Sequence, residues 1–190
     1  MTTTPSTATI PGYVTGTWTI DPVHSDISFT VRHMMVSKVR GSFKTFEGTI
    51  VTADDPLDSS ANVTIDLSSI DTNNADRDTH IRSADFFHVD EHPQMTFEST
   101  KVAPSGDGYV VEGNLGLHGV TLPVRLDVEF NGIGRDPWGG TRIGFSATSE
   151  LSRKEFGIDF NMPLDGGGVV VGDRVQVRLE IEAVLQPAAA

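Results

Sequence analysis

Six histidines, His24, His33, His80, His88, His92 and His118, are the side chains of this 190-residue chain best suited to proton transfer or metal binding. A metal site needs two or three of them to converge. His88 and His92 stand four apart, one helical turn, but Val89-Asp90 and Pro93 argue against a helix there, and no recognisable ligand spacing exists. No metal is expected. His33 differs because it falls on the apolar side of an alternating segment, where a core histidine satisfied by a hydrogen bond is favoured over a ligand contact. Arg77, His80, Ile81 and Ala84 share one face at helical spacing, and fit a reader of a polar head group and a salt-bridged cap about equally well. The pairs Asp54-Asp55 and Asp90-Glu91 read as solvated turns. Nucleophilic and nucleotide chemistry lack their motifs. No serine sits in a Gly-x-Ser-x-Gly elbow, and Asp165-Gly166-Gly167-Gly168 lacks the Lys-Ser/Thr of a phosphate loop. Neither a catalytic residue nor a cofactor is assigned.

The elements that must position these residues are strands. Ile27, Phe29, Val31 and His33 alternate with Asp26, Ser28, Thr30 and Arg32, and Val63, Ile65 and Leu67 alternate with polar neighbours. The same period of two runs through Tyr109, Val111, Gly113, Leu115 and Leu117, through Val124, Leu126, Val128 and Phe130, through Ile143, Phe145 and Ala147, and through Val175 to Ala183. One apolar face per strand favours antiparallel pairing. Turn residues separate the runs at 54–56, 105–108, 136–140 and 166–168. Two stretches read as helical: a short one at Arg32 to Arg40, and Asn74 to Ala84, where Asn73 or Asn74 caps and Asp76 and Asp78 favour the first turn. About eight long strands with one wet face each must stack as two sheets or close. Closure removes exposed edges and leaves an interior just wide enough for side chains or one small guest.

Composition narrows the partners. With 14 Lys+Arg against 26 Asp+Glu the net charge is −12, which argues against nucleic acid and anionic membrane surfaces. The absence of cysteine removes disulfides, thiolate metal sites and thiol catalysis. The first residues carry neither a charged n-region nor an apolar h-region, so a cytoplasmic location is expected. A single domain over residues 16–186 is expected, between loose segments at 1–15 and 187–190. A homodimer is compatible with the sequence, though no patch demands one. Ten Phe, with Met34, Met35, Met95 and Met162, supply a large apolar surface that fills a core or lines a pocket, and composition alone favours the filled core.

The chain resembles the YceI-like, or polyisoprenoid-binding, family from about Gly16 to Leu185. The resemblance rests on the order and spacing of Trp18 to Ser25, Phe29 to Met34, Gly41-Ser42-Phe43, Arg77 to Phe87, Pro93 to Ser99, Gly113-Asn114-Leu115 running into Gly119 to Val124, and Arg153 followed by Phe156-Gly157-Ile158. It implies an all-β, closed, lipocalin-like antiparallel barrel of about eight strands with one or two short helices, holding a prenyl quinone tail, a polyprenyl phosphate or a similar long-chain lipid. On that basis Ile27, Phe29, Val31, Met34, Phe43, Phe86, Phe87, Phe97, Leu117, Phe145, Phe156 and Ile158 are expected to line the tail cavity, with His33, Arg77 and His80 as head-group candidates. Each buried methylene contributes about 0.8 kcal/mol, so the tail would supply affinity and a few polar groups selectivity. Two rivals stand beside a carrier: an enzyme acting on such a lipid through His33 or His80 as general acid or base, and a filled barrel serving as an interaction module.

Overall fold

The structure, a computed structural model, describes residues 10–188. Among them the strands are β1 (Gly16–Ile20), β2 (Asp26–His33), β3 (Ser37–Phe43), β4 (Phe46–Thr52), β5 (Ser60–Asp66), β6 (Ile70–Asp71), β7 (Gln94–Ser105), β8 (Gly108–Leu117), β9 (Val120–Arg135), β10 (Thr141–Ser152) and β11 (Val171–Leu185). One α-helix, α1 (Ala75–Arg82), follows β6, and 3-10 turns occupy Pro56–Asp58, Leu67–Ser69 and Arg153–Phe156. The expected loose segments fall largely outside the described residues. Of the remainder, Tyr13 is tied down, its hydroxyl donating to the Ala53 carbonyl at 2.7 Å.

All pairings are antiparallel, in the order β1-β4-β5-β7-β8-β9-β10-β11, and pairing of β1 with β11 closes eight strands into a barrel. Closure leaves no edge along this ring. The long β11 serves two partners in succession: Ala183–Leu185 pair with β1, and Val171–Glu180 with β2. Between them the chain bulges outward at 21–25, held where the Ser25 hydroxyl donates to the Glu182 carbonyl. The β2-β3-β6 ribbon extends the wall beyond this bulge.

The period-two segments become strands, with Leu67 passing into the 3-10 turn that follows β5 and the end of β2 running into the ribbon; in the ring each strand buries one face inside the barrel and leaves the other in water. The helix expected at Arg32 to Arg40 does not form. Those residues make the β2–β3 hairpin, in which Val31 faces Val39 and Arg32 faces Lys38, around a turn with Met34 and Met35 at φ of 51° and 62°. Left-handed backbone at two methionines is a turn that carries no Gly or Asn signal in the sequence. The second helix forms at α1, where the Asn74 side chain accepts from the Arg77 N–H at 2.9 Å and satisfies one of the free amides of the first turn.

Candidate functional site

Inside the barrel lies an apolar cavity of about 250 Å³. One water needs roughly 10–15 Å³ of such space, so the interior is far from filled by its own side chains. Its wall runs from Ile10, Tyr13, Pro56 and Tyr109 at one end to Phe43, Ile65, Leu115 and Leu151 deep inside. Tyr109 and Leu115 lie six residues apart on β8, about 20 Å of strand, or roughly 15 Å of depth once the strand tilts. Along β9, Val124, Leu126, Val128 and Phe130 point inward yet stay only partly buried, because across the lumen they meet space rather than packed atoms.

The opposite end is plugged. Leu67, Ile70, Phe156 and Ile158, each 3% exposed or less, pack with Phe46 and Leu117 in the core, and Phe86, Phe87 and Val89 lie against them. Arg153 locks this plug. Its guanidinium is buried and donates to the carbonyls of Gly172, Ile158, Phe160 and Val171 at 2.8–3.1 Å. Burial pushes its pKa below the ordinary arginine value.

Two aromatic rings are kept flat against the wall by glycines in neighbouring strands. A Cβ on Gly41 would stand 2.5 Å from the Phe29 ring, and one on Gly113 would stand 2.5 Å from the Phe97 ring. Only glycine leaves room for each ring to lie over the neighbouring backbone instead of projecting into the lumen.

Of the residues expected to line a tail cavity, Ile27, Phe29, Phe43, Phe97 and Phe145 stand on its wall. Leu117, Phe156 and Ile158 belong to the plug, with Phe86 and Phe87 against it. Val31 lies in the β2–β3 ribbon and Met34 at its tip, 44% exposed. None of these seven reaches the cavity wall. The polar candidates also stand elsewhere. Arg77 donates through Nε to the Thr72 hydroxyl and through a terminal nitrogen to the Thr72 carbonyl, at 2.8 and 2.7 Å. His80 pairs with Asp85 at 2.7 Å and its ring packs edge-on against Phe86 and Phe160. His33 ends β2 opposite Ser37 and Val171. No His, Arg, Lys, Asp or Glu stands among the described residues that line the cavity, and the hydroxyls of Tyr13, Thr52, Ser59 and Ser99 in its wall are bonded to backbone groups, so the surface facing the lumen is almost wholly apolar.

Sequence reasoning passed over Tyr109, Val111, Leu126, Val128, Phe130 and Leu179 as lining residues. Their signal was present, since each shares the inward face of its alternating run. The charges collect on the outer wall. Arg142, at the start of β10, pairs with Asp21 at 2.8 Å, with Asp136 at 3.0 Å, and with Glu182. Arg142 and the His24 ring together lower the Asp21 pKa from 3.8 to about 2, and Arg142 also holds Asp136 below the ordinary carboxylate value. No helix among the described residues is long and apolar enough to cross a membrane.

A closed antiparallel barrel, hollow at one end and plugged at the other, defines a lipocalin-like class of architecture. The YceI-like domain model matches residues 18–183, and the chain belongs to the YceI-like family. A UPF0312 protein of Serratia proteamaculans (strain 568) is 48% identical over 136 residues, 71% of this chain and 71% of that protein. Two solved structures share the fold. Burkholderia cenocepacia BcnA matches with a TM-score of 0.71 at 23% identity, covering 86% of this chain and 98% of that one. A polyisoprenoid binding domain from Saccharophagus degradans, implicated in plant cell wall breakdown, matches with a TM-score of 0.63 at 17% identity, covering 91% of this chain and 100% of that one.

Proposed function

We propose that this protein binds a single-chain isoprenoid or similar long-chain lipid inside the barrel, as a carrier or store without chemistry of its own. The observation that carries the reading is an unfilled lumen walled by aliphatic and aromatic groups and free of charge. Its volume is near the small end of ligand pockets, about 300–1,000 Å³, which suits a slender chain better than a broad ring system. Each methylene moved from water into this lumen contributes about 0.8 kcal/mol, so a few five-carbon units outweigh the cost of ordering the chain. The name of the Saccharophagus domain adds support from the same fold.

The uncharged wall narrows the head group. Burying a phosphate without a cation beside it is costly. The guest therefore carries a neutral head such as a quinone or an alcohol, or leaves a charged head outside in water beyond Tyr13, Pro56 and Tyr109. Acid–base catalysis by His33 or His80 is disfavoured because neither belongs to the cavity wall.

Mass spectrometry of organic extracts from the purified protein tests the reading. The expected result is a stoichiometric isoprenoid, or uptake of added polyprenyl quinone with a rise in Tm by mass action. Repeated extracts free of isoprenoid, together with no uptake of the quinone, would reject it.

A further inference from the structure

The plugged end carries a histidine cluster that lipid binding does not use. In segment 83–93 the His92 N–H donates to the His88 carbonyl at 2.9 Å, closing one α-turn. This single turn brings together the two rings whose flanking residues speak against a full helix. It sets Nδ1 of His88 3.6 Å from a Glu91 carboxylate oxygen, and one ligand atom from each of His88, Glu91 and His92 lies within 4.8 Å of the others.

A third imidazole arrives from the β8–β9 turn. The His118 ring centre is 5.2 Å from that of His92, and the His88 ring centre is 6.1 Å from it. Two imidazoles on one tetrahedral zinc, at about 2.0–2.1 Å per nitrogen, hold their ring centres roughly 5 Å apart. Nδ1 of His118 lies 3.0 Å from the Phe156 carbonyl oxygen, which can only accept. That bond keeps the proton on Nδ1 and leaves Nε2 as the free ligand atom, the usual outer-shell arrangement of a metal-binding histidine. Gly119 makes room beneath, since a Cβ there would stand 2.9 Å from Cε1 of His92.

We propose that His88, Glu91 and His92 bind a zinc-type divalent cation, and that His118, which stands outside the 4.8 Å group of the other three, swings onto it as fourth ligand and so fastens segment 83–93 to the β8–β9 turn below the plug. Imidazole and carboxylate donors without thiolate suit zinc, cobalt or nickel. The other cluster of donors, Asp21, His24 and Glu182, does not compete because the Arg142 guanidinium already neutralises its carboxylates.

Titration calorimetry of the full, untagged, chelator-stripped chain with zinc chloride tests the site. One equivalent binds with micromolar or tighter affinity, and Tm rises. His92→Ala and His118→Gln each weaken binding at least tenfold, whereas His24→Gln and His33→Gln leave it unchanged. Should His92→Ala fail to fold, His88→Gln and Glu91→Gln take its place, both at positions outside the packed core. Affinity weaker than millimolar, or a loss short of tenfold in the ligand variants, overturns the site. Lipid content measured on the same variants is independent of either outcome, because the cluster lies away from the cavity.

Discussion

Arg153 and Arg142 belong to opposite halves of the barrel and are held in opposite ways. Arg153 is 6% exposed and its neighbours are neutral carbonyls. Arg142 lies on the outer wall near the mouth, and its neighbours are the carboxylates of Asp21, Asp136 and Glu182. At the plug, packing and a buried hydrogen-bond network act together, so losing one member leaves unsatisfied groups in a dry place. At the mouth, stabilisation sits on the outer face, where it leaves the inner face unpacked. A hollow barrel is thus stabilised by dense packing at one end and by charge pairing around the other.

Truncating the two halves separates them. Phe156→Ala removes a ring 2% exposed and costs about 3–5 kcal/mol, whereas Leu126→Ala in the partly buried cavity wall costs about 1 kcal/mol, both read by chemical denaturation. Equal losses would break the contrast. Arg153→Met strands four carbonyls and costs about 3 kcal/mol, with faster proteolysis in the 158–170 loop as the local readout.

Gly113→Val sharpens the comparison from the other side. It drives the Phe97 ring into the lumen and presses on the Glu98 carbonyl, 2.6 Å from the added Cβ, costs about 1–3 kcal/mol by overpacking, and lowers quinone uptake at least tenfold. Acid supplies the smallest effect. The Asp21 pKa is depressed, so its contribution is complete above the unfolded value near 3.8 and fades as pH falls towards 2. For a pair this near the surface that is about 1 kcal/mol. Arg142→Met removes it at neutral pH and flattens the stability profile between pH 4 and 2, which thermal melts across that range would reveal.

The sequence carried the barrel further than it carried the cavity. Alternation at Val124 to Phe130 and at Val175 to Ala183 marks which face is inward, and inward faces in a closed sheet must meet. What alternation does not encode is where along the axis the lumen ends. Phe156 and Phe145 read alike as aromatic residues in apolar context, yet one is plug and the other wall, because the 3-10 turn at Arg153–Phe156 folds under the barrel. Arg77 and His80 do share a helix, but that helix stands beside the plug, and its side chains are engaged by Thr72 and Asp85. The β2–β3 turn stayed hidden because left-handed backbone at Met34 and Met35 leaves no compositional trace.

The rings of Phe29 and Phe97, each resting on a bare stretch of neighbouring backbone, make the bore of this tube a matter of two contacts rather than of strand number. A barrel of fixed circumference can then acquire a narrow waist, or lose one, by exchanging a hydrogen for a methyl at Gly41, where only the Phe29 and Thr72 side chains stand in the way. Calibre and scaffold become separable, and a single hollow architecture can be refitted to thicker or thinner guests with every strand left in register.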